Sequence, residues 1–145
     1  MATRSRIAIE TSDDQGNKVI KSIYCHFDGY IEHNGKILQE FYTSESKVKS
    51  LIELGDISIL AKEVSTNESH DFGNPKKGVV VAYHRDRGED LSPPRENSSV
   101  SEFFESDIEE YGYLFTEEGE WLVKGYGHGD PLPLKYVIEK RANLQ

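Results

Sequence analysis

The sequence predicts a single-domain α+β fold, residues 1–145: an antiparallel β-sheet built from hairpins, with helices packed on one face. Three observations carry that expectation. Two pairs of β-branched and aromatic runs are each joined by a short turn-forming cluster, the signature of hairpins. Between and after them lie segments with apolar residues at helical spacing, bounded by polar caps and glycines. The chain is 145 residues long, a length at which one compact fold buries about 68% of the surface its unfolded chain exposes, enough for one core.

Arg4 to Glu10 and Lys18 to His26 are rich in Ile, Val and Tyr, and the gap between them, TSDDQGN, forms a turn. They read as the first hairpin. DGYIEHNG follows as a loop, then GKILQEFY, with Ile37, Leu38 and Phe41 at helical spacing and Asn34 as its expected N-cap. In TSESKVKSLIELG the apolar residues Val48, Leu51 and Ile52 share a helical face, Ser44 or Thr43 caps the start, and Gly55 stops the end. DISILAKEV fits either a short helix capped by Asp56 or a strand. Residues 65–78 are polar, with Gly and Pro, and read as a loop. The β-branched run VVVAY at 79–83 is expected as a central strand. Residues 84–98 hold two consecutive prolines and seven charged side chains, and are expected to form a long loop. A short helix from Ser99 to Ile108, a second hairpin from 111–116 and 121–126, and a terminal helix with Asp130 near its start complete the pattern.

The formal charge is −9, with 36% hydrophobic and 30% charged residues. A broad basic face for duplex nucleic acid is therefore not expected, although a local basic pocket is compatible with that balance. Eight acids and no base fall in residues 101–120, which read as a solvated face or as a docking surface for a basic partner. The single cysteine, Cys25, rules out an intramolecular disulfide and a Cys-x-x-Cys metal site, and reads as a small buried hydrophobe. No apolar run reaches the ~18 residues of a membrane span, and the opening MATRSRIAIE lacks the apolar stretch of a secretory signal. The expected location is the cytoplasm.

Few motifs suggest catalysis. His26/Asp28 and His84/Asp86 are His-x-Asp pairs at expected strand ends, where i and i+2 share a face, as a metal or acid/base site requires. With only His70 and Asp71 as further ligands, a metal-dependent nucleotide hydrolase is the weaker reading. Neither Gly-x-Ser-x-Gly nor a phosphate-binding loop is present, and the glycines around Tyr126 and His128 read as a turn. No catalytic residue, metal ligand or cofactor is assigned.

What remains suits binding. YCHFDGY, with Tyr24, His26, Phe27, Asp28 and Tyr30, places rings and a carboxylate where a strand becomes a loop. A ring that stacks on a nucleobase contributes ~1–3 kcal/mol, and Asp28 can accept from a base edge. In AYHRDRGED, with Tyr83 and His84, the alternate residues Arg85 and Arg87 are expected to leave a strand on one side and hold a phosphate by forked hydrogen bonds. Arg4, Ser5 and Arg6 on the first strand add to them.

These segments, MATRSRIAIE, SIYCHFDGY, HNGKILQEFY, KVKSLIELGDIS and AYHRDRGED, occur in one order over most of residues 1–90, with YGYLFTEEGEWL beyond. In this the chain resembles the bacteriophage sponge proteins that disarm CBASS immunity, the fourth type of the anti-CBASS series. The resemblance implies a homotetramer in the host bacterial cytoplasm that binds cyclic dinucleotides such as 3′3′-cyclic GMP-AMP without cleaving them. The Thoeris anti-defence sponges, which hold cyclised ADP-ribose signals, are the lesser resemblance. A third class is an acidic protein that occupies a host nucleic-acid-binding protein through residues 101–120.

Overall fold

The computed structural model describes residues 2–125 and 129–143. It is an α+β domain with one eight-stranded sheet. The first hairpin pairs β1 (Ser5–Ser12) with β2 (Lys18–Cys25), and Asp13 closes the turn by accepting from the Gln15 and Asn17 amides. A one-turn π-helix, Ile31–Gly35, stands where a loop is expected and runs directly into α1 (Lys36–Phe41). Asn34 is therefore inside that turn rather than capping the helix, and its side chain is buried. Helix α2 (Glu45–Glu53) begins as expected, with Ser44 accepting from the Lys47 amide, and Gly55 beyond it takes φ +77°, the left-handed conformation that glycine adopts without strain.

DISILAKEV resolves as a strand, β3 (Ile57–Ile59). The apolar run 79–83 contributes β4 (Val81–Ala82) at a sheet edge and not at its centre. It is apolar throughout because the loop before it covers that edge: Glu63 pairs with Val79, and His70 reaches the Val80 carbonyl at 3.0 Å. Residues 84–98 are not one loop. Helix α3 (Tyr83–Arg87) ends at Gly88 in the left-handed conformation, and β5 (Arg95–Asn97) pairs antiparallel with β2. Helix α4 (Val100–Glu105) is capped by Ser99, and the second hairpin joins β6 (Tyr111–Phe115) to β7 (Trp121–Gly125). Tyr126, Gly127 and His128 lie outside the described residues. A two-residue β8 (Leu132–Pro133) precedes α5 (Leu134–Ala142), whose first turn follows Pro133 rather than Asp130.

The sheet order is β4-β3-β2-β1-β6-β7-β8, with β5 also on β2. Both sequence-local hairpins are antiparallel, but the joins between them are not: β1 pairs parallel with β6, and β2 with β3. The sheet is thus mixed, because β6 returns from α4 to lie beside β1 in the same direction. Nor do the helices share a face. Ile7, Ile9 and Ile23 point to one side, where α1, α2 and α5 pack over Leu38, Val48, Leu51 and Leu134. Ala8, Ile20 and Leu114 point to the other, where α4 covers them with Phe103 and Phe104. With β1 apolar on both faces, it is the centre of the fold. No helix among the described residues is long and apolar enough to cross a membrane.

Candidate ligand-binding site

Strand alternation places the site. Arg6 and Tyr24 are cross-strand partners, and Arg95 opposite Ser22 shares their face, the side on which α4 packs. The α4 contacts fall on Ala8, Ile20 and Leu114, so Arg6, Tyr24 and Arg95 lie beyond them and stay partly exposed. Arg6 is anchored by Ser22, donating from Nε to Oγ at 3.1 Å and from Nη2 to the carbonyl at 3.0 Å. Arg95 donates to the Asp107 carbonyl at 2.9 Å and to Ser106 Oγ at 2.8 Å, while its Nε is buried without an acceptor among the described residues. Burial first, and the neighbouring Arg95 second, lower the Arg6 guanidinium from its ordinary value; Asp56, Glu109 and Asp107 oppose the shift without cancelling it. Two cations held together in partial burial are relieved by an anion.

Beside them the chain builds an aromatic ledge. Tyr24 Oη lies 2.7 Å from His26 Nδ1, and the Phe27 ring meets His26 edge-on at 4.5 Å and 78°. Phe27 is 41% exposed. The loop that carries it is held from below. His26 and Phe27 amides donate to Ile57 and Ser58 carbonyls, the Gly29 amide to Thr3, and Tyr113 Oη to the Gly29 carbonyl at 2.6 Å. Buried Asn34 places its amide nitrogen 3.4 Å from both Ser5 Oγ and Cys25 Sγ and 3.5 Å from the Phe27 carbonyl. Glycine is required at 29, where a Cβ would stand 2.8 Å from Ser5 Cβ and 2.9 Å from the Thr3 carbonyl. Asp28 sits at φ +58°, uncommon for a side chain other than glycine.

The expected site residues divide accordingly. Arg6, Tyr24, His26 and Phe27 come together, with Arg4 at the rim, where it faces Glu109 at 3.7 Å and Glu110 at 3.6 Å. Ser5 lies buried under the ledge and supports Asn34. Tyr30 turns toward His33, ring centres 6.2 Å apart. Tyr83 and His84 line a cavity of about 160 Å³ with Asp56, Glu89, Asp90 and Ser92, and Asp56 joins it to the site by accepting from the Tyr24 amide at 3.0 Å. Tyr83 packs on Phe72, and His84 Nδ1 is 2.7 Å from the Glu89 carbonyl.

Arg85 and Arg87 do not form a phosphate fork. They stand on helix α3, where residues two apart are about 200° apart around the axis rather than on one side. Arg85 turns inward to the Val64 and Val80 carbonyls, Ser65 and Asp86, while Arg87 lies over the Phe72 ring at 4.7 Å and pairs with Glu89. The same helix separates His84 from Asp86, and the left-handed turn at Asp28 removes the strand geometry assumed for His26/Asp28. Asp86 is a buried hub instead, accepting from the Ala82 amide at 2.7 Å and standing 3.3 Å from His70 Nε2. Among the described residues no three His, Cys, Asp or Glu side chains gather as a metal site would need. Cys25 is buried as expected, and burial pushes its thiol up to about 11.

Sequence reasoning missed Arg95, Asn34 and Glu109. Arg95 lies in a three-residue strand after two prolines, too short to show a period. The acidic stretch is also divided: Glu102 and Glu105 are on α4, Asp107, Glu109 and Glu110 border the arginines, and Glu117 pairs with Lys18 at the far hairpin. The two roomier grooves, about 450 and 420 Å³, lie away from this patch, one by Trp121 and Tyr136 and the other at the opposite end of β1 and β2. Neither holds an arginine. Compared with protein-family models, curated proteins and solved structures, the chain matches none.

Proposed function

We propose that this chain is a phage immune-evasion protein that binds and sequesters a cyclic dinucleotide signal of CBASS defence, such as 3′3′-cyclic GMP-AMP, without cleaving it. The observation that carries the reading is the convergence of Arg6 and Arg95 beside the Tyr24, His26 and Phe27 ledge. Guanidinium forks suit phosphodiester oxygens, and a ring next to them offers a face for a base. The sequence likeness to the phage sponges points the same way. The groups of the patch have binding roles only, and the mechanism is mass action: protein in excess of messenger, at nanomolar affinity, holds free signal below the level its effector needs. A homo-oligomer in the host bacterial cytoplasm completes the proposal.

The test is thermal denaturation of the purified chain against cyclic dinucleotides, cyclic trinucleotides and cyclised ADP-ribose species. A ligand that binds only the folded state raises the midpoint. The expected outcome is a clear shift with a cyclic dinucleotide, abolished by Arg6→Ala with Arg95→Ala, and recovery of intact ligand after heating. A shift confined to cyclised ADP-ribose would move the protein to Thoeris, and linear products would overturn sequestration.

A further inference from the structure

Glu109 stands at the rim of the patch in a conformation that side chains rarely adopt, φ +63°. That turn aims its carboxylate back at the arginines, 3.7 Å from Arg4 Nη1 and only 17% exposed. Its backbone amide donates to Asp107 Oδ1 at 3.0 Å, which holds the two acids side by side at the rim. Arg4 faces it from just before β1 and Arg6 from β1, Asp107 from its own loop, and Arg95 and Tyr24 lie within its field. Burial first, and the neighbouring Asp107 carboxylate with it, push the Glu109 carboxyl up, while the Glu109 amide holds Asp107 down.

Resting on the nucleotide reading above, we propose that Glu109, with Asp107, determines specificity by limiting the negative charge that Arg4, Arg6 and Arg95 accept. A phosphodiester inside a ring carries one negative charge, whereas a terminal phosphate carries close to two at neutral pH. Repulsion from a fixed carboxylate grows with the charge of the incoming group. The patch therefore admits a ring-closed dinucleotide and turns away its ring-opened form with a terminal phosphate.

Titration calorimetry with 3′3′-cyclic GMP-AMP and with its linear form bearing a terminal phosphate tests this in the wild-type chain, Glu109→Gln and Asp107→Asn. The wild type is expected to favour the cyclic probe by about tenfold or more. Glu109→Gln should strengthen both probes, the linear one more, and narrow the gap roughly three- to tenfold; Asp107→Asn should narrow it in the same direction. Thermal midpoints of both variants check that the fold is kept. Equal wild-type affinities, or parallel changes in both probes, overturn the charge filter and leave the nucleotide reading standing. If neither probe binds, the nucleotide reading and the filter fall together.

Discussion

Replacing Arg85 with alanine separates a structural arginine from a ligand-binding one. In the folded chain its guanidinium donates to the Val64 carbonyl at 2.6 Å, the Val80 carbonyl at 2.7 Å, Ser65 Oγ at 3.2 Å and both Asp86 oxygens at 2.9 and 3.0 Å. These bonds tie the loop before β4 to α3. Each carbonyl bond contributes about 1 kcal/mol net, and the charge-assisted bond to Asp86 about 1.5–3 kcal/mol before screening. Arg85 is 28% exposed and Asp86 3%, so part of the ion-pair value is lost to solvent, but a buried carboxylate is left short of a partner. The expected cost is about 2–4 kcal/mol, a fall in Tm of about 6–14 °C for a chain of this size. Arg87→Ala, removing an exposed side chain stacked on Phe72, should cost at most about 1 kcal/mol. Urea and thermal unfolding give the stabilities, and calorimetry with 3′3′-cyclic GMP-AMP gives the affinity. Binding per folded molecule should be unchanged in both variants. An Arg85→Ala protein of wild-type stability that has lost affinity would refute this assignment and return Arg85 to the ligand.

Acid unfolding should report the same hub. Burial alone would raise the Asp86 carboxyl, yet the bonds from Arg85 and the Ala82 amide hold it below its ordinary value. Its contribution is therefore full above about pH 4 and lost as pH falls through the native value, and a pH series should show Arg85→Ala losing stability at higher pH than the wild type. Tyr113→Phe removes the only side-chain donor to the Gly29 carbonyl among the described residues, and should cost about 1–2 kcal/mol in urea unfolding; no change would mean the ledge is not held from below. Gly29→Ala forces a methyl against Ser5 and Thr3, with an expected loss of about 1–3 kcal/mol and weaker binding of 3′3′-cyclic GMP-AMP from a displaced Phe27; retained affinity would separate the loop from the site.

Much of this fold is legible where a few neighbouring residues decide the outcome. The two hairpins follow from alternating β-branched runs around a turn, and α2 from Ser44, its apolar face and Gly55, all within one short segment. Position in the sheet is different. VVVAY reads as central because it is apolar throughout, but its cover comes from a polar loop whose contact with it depends on His70, Arg85 and Asp86 meeting in space. For the candidate site, the Tyr24–Phe27 ledge and Arg6 were visible as aromatics and bases near a strand end. Arg85 and Arg87 misled because their spacing has opposite meanings on a strand and on a helix.

By itself, then, the sequence determined the class of the domain, its hairpins, its main helix, the buried thiol and the residue types of a basic, aromatic patch, because local propensity and alternation act over a few positions. Only the tertiary structure decided that β1 pairs parallel with β6, that α4 takes the opposite face, and that Arg95 and Glu109 join Arg6 and Tyr24. Those juxtapositions link residues some 70 to 105 positions apart, set by which surfaces bury one another, and no local pattern encodes them.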